Sequence, residues 1–352
     1  MGKEKNFSIK LRNISIENYK GIDSFSMDFP KRGLSEDLDI LIMGSENGLG
    51  KTSIIECCAL LLISRRIESE YQIRDRYLSI DVPDLLIRAG SDIANITGEI
   101  TFNSKTYPIG IEIHRSGKIK NIGDFRQINL SNDSDGVSVN KLVENICGVS
   151  PNPVIENSFM LFHSYRKIQE GNPDMGRMVR GYSDIRRIPP HRRFEMPLSE
   201  FKILILRSLM NRAGLFEFPD EQEAGETFEK LNELLKFFAG GTISKLRPSI
   251  ENTIDLRILP IDGGKSFTFD GLSSGQKEII STLFLIWHHT KNNPSVVFID
   301  EPELHLNAQW HRSFVNNLIM LAPKNQYIFA THSEEIMDSV PKNRRILLLN
   351  KN

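Results

Sequence analysis

The segment SENGLGKTS, residues 45–53, is the sequence feature that most constrains how this chain folds. The apolar run LDILIMG precedes it, and an apolar helix is predicted after it, over residues 51–64. A glycine-rich turn between a strand and a helix presents backbone N–H groups at a helix N-terminus, where they bind anions such as phosphate. The pattern therefore predicts an α/β protein with a triphosphate-binding loop.

The side chains of this loop have predicted partners on a bound nucleotide. Lys51 is expected to reach the β- and γ-phosphates, the Thr52 hydroxyl to ligate Mg²⁺, and Ser53 to bond the α-phosphate. The other loop residues assigned to nucleotide binding are Asn47, Gly48 and Gly50. ATP and Mg²⁺ are thus the predicted cofactors. One departure from the usual pattern is Ser45, which stands where the first glycine is expected.

Two acidic residues at the end of a second apolar run predict the metal and hydrolysis chemistry. The run SVVFIDEPELHLN, residues 295–307, places Asp300 and Glu301 at a strand tip. Asp300 is expected to hold Mg²⁺ through water, and Glu301 to polarise a water for in-line attack on the γ-phosphate. The alternative is a solvated turn that carries two acids.

A histidine follows the next predicted strand, in the run YIFATHSEE. His332 at that strand tip is expected to hydrogen-bond the γ-phosphate and so to sense whether it is present. The alternative is a packed or surface histidine. The histidines of the chain show no spacing typical of metal ligands.

The turn GLSSGQKE, residues 271–278, predicts a second anion site. A Ser-Ser-Gly turn that opens a helix presents free N–H groups at the positive end of the helix dipole. Because the chain already has a phosphate loop, a second site is explained if two chains share two ATP molecules across a two-fold interface. A simple helix N-cap is the alternative interpretation.

These motifs, in this order, resemble those of the ATP-binding-cassette (ABC) ATPases. The wording DEPELHLN and THSEEIMDS, with ISIENYKGI near the start, is similar to the soluble branch that includes RecF-like, Rad50/SMC-like and OLD-like ATPases. Within it, the compact bacterial anti-phage ATPases of the PtuA and OLD type look most similar. The resemblance covers residues 9–60 and 253–350 well and the middle of the chain poorly.

The resemblance implies a homodimer, or a higher homo-oligomer, in which each copy completes the nucleotide site of the other. Ser274 and Gly275 would cap the γ-phosphate held by a second copy, and Gln276 would support the turn. Hydrolysis would then loosen the pair.

The sequence departs from the family pattern at two places. Asn307 and Ala308 stand where relatives often have His-Pro, in a segment that usually lies at the dimer interface. The glutamine that normally contacts Mg²⁺ is not obvious in the run FHSYRKIQ, where Gln169 is a weak candidate and Arg166 competes as a phosphate contact.

The motif positions predict an α/β ABC-ATPase head with a mixed or parallel sheet, flanking helices, an antiparallel β lobe and a helical insertion. Strands are expected within 9–29 and 92–114, and loops over 115–140. Three segments are predicted: an N-terminal ATPase lobe (1–162), a basic and helical insertion that forms a lid or docks a partner (163–252), and a C-terminal ATPase lobe (253–352).

The basic segment 163–193 is a candidate nucleic-acid contact. It contains eight Lys or Arg and three acidic residues, a net charge of +5 in a chain of net charge −1. With Tyr165 and Tyr182 interleaved, it could follow DNA or RNA phosphates. It could equally be a solvated loop, or pair with the acidic run at 218–226.

Composition and the apolar runs favour a cytoplasmic protein without a membrane segment. The start MGKEKNFS lacks the apolar stretch of a signal peptide, and the longest apolar runs are too short to span a bilayer. Cys57 and Cys58 lie in an apolar helix and are expected in the core.

These features favour an ATPase whose ATP-bound dimer acts as a switch or scaffold in anti-phage defence. It would control a separate effector, a nuclease or toxin encoded nearby, because no acidic cluster after residue 302 indicates a nuclease centre in this chain. One alternative is a RecF-like DNA-repair ATPase that binds DNA. Another is an ATP-bound assembly module with little turnover.

Overall fold

The computed structural model describes residues 8–30, 39–45, 48–66, 70–72, 85–123, 139–147, 152–166, 200–212, 221–248, 254–304 and 306–349. These residues form two compact units. Unit 1 comprises the residues up to Arg166, with 289–304 and 308–349. Unit 2 comprises the residues from 200 to 288, with 306 and 307.

The described residues contain both β-strands and α-helices. The strands are β1 (Ile9–Tyr19), β2 (Ile22–Asp28), β3 (Ile40–Gly44), β4 (Glu70–Gln72), β5 (Ile93–Phe102), β6 (Lys105–His114), β7 (Lys118–Asn121), β8 (Val154–Ile155), β9 (Phe159–Phe162), β10 (Gly241–Pro248), β11 (Ile254–Pro260), β12 (Phe267–Thr268), β13 (Val296–Asp300), β14 (Gln326–Thr331) and β15 (Arg345–Leu347). The α-helices are α1 (Lys51–Ile63), α2 (Val139–Ile146), α3 (Glu200–Arg212), α4 (Glu221–Ala239), α5 (Ser274–Thr290), α6 (Ala308–Leu321) and α7 (Glu334–Met337).

A mainly parallel sheet in unit 1 carries the predicted chemistry. Its strand order is β15-β3-β14-β13-β9-β8, and only the pairing of β8 with β9 is antiparallel. Every residue of β3, β13 and β14 is buried, as expected for strands covered on both faces. Because these three strands are parallel, their carboxyl ends lie side by side. The loop after β3, the two acids at the end of β13 and the histidine after β14 therefore meet at one edge of the sheet, which confirms the predicted α/β head.

The other sheet of unit 1 is the predicted antiparallel lobe. Its order is β2-β1-β5-β6-β7-β4, and it confirms the strands expected within 9–29 and 92–114. The prediction of loops throughout 115–140 was wrong, since β7 pairs there with β6. In β7 the buried Ile119 lies opposite the buried Ile113. This stabilisation comes from packing on a neighbouring strand, so the four residues of β7 alone do not signal it.

Helix α1 contacts strands of both sheets in unit 1. Every residue from Ile54 to Ile63 is buried, and all of them except Glu56 are apolar, which is typical of a helix surrounded by protein. Cys57 and Cys58 are fully buried in it, and burial raises the pKa of each thiol. These cysteines are core residues, as the sequence predicted.

Unit 2 contains α3, α4, most of α5 and an antiparallel sheet of order β10-β11-β12. The β11 and β12 strands form the hairpin expected around the Asp-Gly-Gly turn. Helix α4 is fixed to β10 through Asn232, whose Oδ1 accepts from the Ile243 N–H at 2.8 Å and whose Nδ2 donates to the Ile243 carbonyl at 3.3 Å.

The compact units differ from the predicted three segments. Strand β10 lies in the predicted insertion (163–252), yet it pairs with β11 in the predicted C-terminal lobe (253–352). This pairing joins residues 254–288 to unit 2, whereas residues 289–304 and 308–349 belong to unit 1. A boundary drawn from composition does not reveal hydrogen bonds between strands on its two sides. The basic residues from Lys167 to Arg193 lie outside the described residues, and no described helix is both long and apolar enough to cross a membrane.

Candidate functional site

The phosphate loop leads from β3 into α1. Gly48 and Gly50 have φ values of 83° and 82°, a left-handed conformation that favours glycine. Gly50 is the N-cap residue of α1, so the first backbone N–H groups of the helix are directed at the loop. Thr52 and Ser53, on the first turn of α1, are partly exposed. Asn47 lies outside the described residues.

The lysine of the loop lies at the centre of the site. Its Nζ donates to the Oγ of Ser45 at 2.7 Å and to the Ser45 carbonyl at 3.1 Å. The residue that departs from the usual glycine pattern thus holds Lys51. Burial lowers the pKa of Lys51, and the nearby carboxylates of Glu301, Asp300 and Glu303 oppose that effect. A cationic amine that is partly desolvated and surrounded by donors and acids is suited to binding phosphate oxygens.

Thr52 and Asp300, the two residues predicted to hold the metal, are in contact. Thr52 Oγ1 donates to Asp300 Oδ2 at 2.9 Å, and Asp300 is 1% exposed. The second carboxylate oxygen, Oδ1, is buried without a hydrogen-bond partner. Burial raises the pKa of Asp300 to about 6; the Thr52 hydroxyl opposes this effect, and the charge of Glu301 adds to it. A buried carboxylate with one unpaired oxygen beside a hydroxyl fits a hard divalent cation such as Mg²⁺.

The predicted base follows β13 in an unusual backbone conformation. Glu301 has a φ of 47°, which is uncommon for a residue with a side chain. Its N–H donates to the Ala330 carbonyl of β14 at 2.8 Å. Its Oε1 lies 3.6 Å from Nε2 of His332, whose Nδ1 lies 3.4 Å from Nζ of Lys51. The structure therefore brings Lys51, Glu301 and His332 together.

Arg166 stabilises the turn that contains Asp300 and Glu301 by bonding its backbone. Its Nη1 donates to the Asp300 carbonyl at 2.7 Å, and its Nη2 donates to the Glu301 carbonyl at 3.3 Å. The sequence offered Arg166 as a candidate phosphate contact, whereas these bonds go to the backbone that carries the two acids. The competing Gln169 lies outside the described residues.

Glu303 is a residue of the candidate site that the sequence did not predict. Its Oε1 accepts from the backbone N–H of His332 at 2.6 Å, and its Oε2 accepts from Thr331 Oγ1 at 2.7 Å. The available signal was a third acid in the run DEPE. That signal does not reveal which strand end the third carboxylate contacts.

The signature turn at the start of α5 lies in unit 2. Ser273 and Gln276 form a capping box: the Gln276 N–H donates to Ser273 Oγ at 3.3 Å, and Gln276 Oε1 accepts from the Ser273 N–H at 3.1 Å. Gln276 Nε2 also donates to the Phe238 carbonyl at 2.9 Å. Ser274 is exposed and Gly275 is buried. The N-cap interpretation is therefore part of the structure, and an exposed serine remains at the helix start.

An ion pair between a buried lysine and a partly exposed aspartate supports the turn that leads into this motif. Lys202 Nζ of α3 lies 2.6 Å from Asp270 Oδ1, and the Lys202 side chain is 2% exposed. Lys277 Nζ donates to the Asp270 carbonyl at 3.3 Å. The residues that precede the signature turn are thus fixed to both α3 and α5.

Comparison with known proteins places these features in a family. Residues 152–338 match the family described as "AAA domain, putative AbiEii toxin, Type IV TA system". The "Retron Ec83 probable ATPase" of Escherichia coli is 23% identical, over 97% of this chain and 72% of that protein. The RecF DNA replication and repair protein of Staphylococcus aureus is 28% identical over 35% of this chain and 28% of that protein. The chain thus spans less than two thirds of RecF.

Solved structures show the same fold over nearly the whole chain. An SMC head bound to the C-winged helix domain of ScpA superimposes with a TM-score of 0.52, covering 94% of this chain and 92% of the other at 14% identity. This likeness concerns the fold. With more than half of its residues matched, the chain belongs to this AAA-domain family, and its motifs, fold and relatives make it an ABC-type ATPase of the RecF/Rad50/SMC/OLD-like branch.

Proposed function

We propose that the protein binds ATP with Mg²⁺ and hydrolyses it in a dimer that serves as a switch for a separate effector. The observation that carries ATP hydrolysis is the Thr52–Asp300 pair, with one buried carboxylate oxygen unpaired, beside Lys51 and Glu301. Nucleotide-binding loops, a metal ligand and a base are the parts that phosphoryl transfer needs.

Each residue at the sheet edge has a proposed part in the reaction. The phosphate loop and Lys51 hold the β- and γ-phosphates, and Glu301 takes a proton from the attacking water. Mg²⁺ held by Thr52 and Asp300 would neutralise charge that develops on the phosphate oxygens. His332, between Lys51 and Glu301, hydrogen-bonds the γ-phosphate and registers its loss.

The signature turn is proposed to act on the nucleotide of a second copy. Ser274 is exposed at the positive end of α5, and the capping box and the Lys202–Asp270 pair hold its position. In a two-fold dimer, Ser274 and Gly275 of each copy would reach the γ-phosphate on the other, with Gln276 fixing the turn. ATP would then stabilise the dimer and hydrolysis would weaken it.

A role in anti-phage defence is the favoured setting for this switch. The match to a protein named as a retron ATPase extends over 97% of this chain, more than the RecF match covers. We assign the effector chemistry, a nuclease or toxin, to a partner protein, as the sequence predicts. We place the protein in the cytoplasm.

A RecF-like role in DNA repair is the second candidate, and the similarity to RecF over 35% of the chain favours it. It predicts ATP-dependent binding to gapped DNA that weakens steeply as salt concentration rises. Co-purification of an effector protein from the native host, without such DNA binding, would support the defence role instead.

Glu301→Gln tests hydrolysis and dimer formation together. Loss of the base should slow ATP turnover about 10²–10⁴-fold and leave ATP binding intact. Mass measurement with ATP should then show a dimer that is longer-lived than that of the unchanged protein. Exposed Glu334→Gln is the matched control and should change neither quantity.

Two results of that experiment would contradict the proposal. An unchanged turnover rate would show that Glu301 is not the base. A variant that binds ATP tightly and remains monomeric would rule out the shared site. Negligible turnover in the unchanged protein, with dimers that form on ATP binding, would instead support an assembly module.

A further inference from the structure

Glu303 connects the turn after β13 to the end of β14, and both of its carboxylate oxygens are engaged in doing so. Oε1 accepts from the His332 N–H at 2.6 Å, and Oε2 accepts from Thr331 Oγ1 at 2.7 Å. The Thr331 hydroxyl oxygen in turn accepts from the Ser333 N–H at 3.0 Å. Three successive residues at the strand end are thus held, directly or through one hydroxyl, by one carboxylate.

The peptide that Glu303 holds determines where the His332 ring lies. That ring stands between two groups of the nucleotide site: Nδ1 is 3.4 Å from Lys51 Nζ, and Nε2 is 3.6 Å from Glu301 Oε1. A second link joins the same two segments, because the Glu301 N–H donates to the Ala330 carbonyl at 2.8 Å. The two turns are therefore joined at two points.

We propose that Glu303 is a positioning residue that keeps His332 aligned with Glu301 and Lys51, and so couples γ-phosphate sensing to the hydrolytic turn. The inference rests on the proposed ATP hydrolysis at this site. The Glu303 carboxylate accepts short hydrogen bonds from a backbone N–H and a hydroxyl. Such bonds are charge-assisted and are therefore stronger than bonds between neutral groups. Removing Glu303 frees the backbone of His332 without removing any group that contacts nucleotide.

The proposal is tested by a double-mutant cycle on steady-state hydrolysis. Glu303→Ala should lower kcat about 10-fold or more and change the affinity for ATP less than about 2-fold. Glu303→Gln, which keeps one oxygen acceptor, should lose less. If Glu303 acts through His332, adding Glu303→Ala to His332→Ala should cost less than about 2-fold further. Additive losses, an unchanged kcat, or a loss confined to ATP affinity would overturn the proposal.

Amide hydrogen exchange measured without nucleotide provides a second test that does not depend on catalysis. Glu303→Ala should speed amide exchange in the segment 331–333, because the Glu303 carboxylate accepts a hydrogen bond from the His332 N–H there. Glu303→Gln should speed it less. Exposed Glu334→Ala, which removes a carboxylate two residues after His332, is the control and should leave that segment unchanged. Unchanged exchange in Glu303→Ala would overturn the proposed anchor.

The two measurements separate this inference from the proposed function. If the unchanged protein fails to hydrolyse ATP, the proposed function fails, and the exchange measurement still shows whether Glu303 anchors His332. If the unchanged protein hydrolyses ATP and the Glu303 variants match it, only the inference fails. Should Glu303→Ala not fold, Glu303→Gln carries both measurements.

Discussion

Replacing Asp300 by asparagine tests the electrostatics of the proposed metal site through the stability of the protein. The carboxylate is buried, and burial raises its pKa from 3.8 to about 6. Between these values the folded protein binds a proton that the unfolded chain has released. The stabilisation that this proton provides is therefore complete below about pH 4 and is lost as the pH rises through about 6.

The size of the effect follows from the two pKa values. One pKa unit corresponds to about 1.4 kcal/mol, so the whole contribution is about 3 kcal/mol. Roughly half of it is lost below pH 5, which leaves about 1.4 kcal/mol to be lost between pH 5 and pH 8. Because the asparagine variant does not titrate at this position, the free energy of unfolding of the unchanged protein should fall by that amount relative to the variant. Any constant cost of the amide cancels, since only the change with pH is compared.

Urea unfolding in Mg²⁺-free buffer, at several pH values between 5 and 8, measures this difference. Asp338→Asn changes an exposed carboxylate and is the control for general charge effects. Adding Mg²⁺ and ATP at pH 8 should stabilise the unchanged protein more than Asp300→Asn, because only a carboxylate there provides an anionic ligand. Parallel pH profiles for the two proteins, or a relative gain for the unchanged protein as pH rises, would refute the assigned electrostatics.

Two further substitutions test the two halves of the proposed nucleotide site. Lys51→Ala should abolish ATP binding in calorimetric titration, because it removes the cation at the β- and γ-phosphates; tight binding by the variant would contradict the loop assignment. Lys202→Met removes the ion pair between the buried Lys202 and the partly exposed Asp270, and should lower the free energy of unfolding by about 1–3 kcal/mol. It should also reduce kcat more than it weakens ATP binding. Equal losses of kcat and ATP affinity would show that Lys202 does not act through the signature turn. Lys230→Met, which breaks an exposed pair with Glu233, is the matched control for stability.

The sequence was sufficient to predict those features of the fold that are determined by neighbouring residues. Gly48 and Gly50 are needed for left-handed backbone wherever this loop occurs, and β3 and β13 are apolar because both faces are covered. Once the strands were known to be parallel, their carboxyl ends had to meet. The approach of Thr52 to Asp300, 248 residues apart in sequence, follows from that topology.

The sequence was not sufficient to predict tertiary contacts, in which a particular side chain bonds the end of a particular strand. Glu303 and Arg166 are charged residues beside motifs, and many such residues are simply solvated. Their roles follow from tertiary geometry: Glu303 accepts from the end of β14, and Arg166 donates to the carbonyls after β13. The pairing of β10 with β11, which set the boundary of unit 2, has the same origin, because strand partners are chosen by packing across a gap in sequence.

The contacts around the sheet edge explain how an unfavourable arrangement of groups persists there. Asp300 is buried with one oxygen unpaired, and Glu301 has a left-handed backbone, each of which costs folding free energy on its own. Arg166 donates to the backbone carbonyls of these two residues, and Glu303 joins the turn that follows them to the end of β14. Neither contact uses the carboxylate of Asp300 or Glu301. Because that support comes from backbone contacts, the acids stay available for a cation and a water. A site organised in this way is more sensitive to loss of Arg166 or Glu303 in catalysis than in nucleotide affinity.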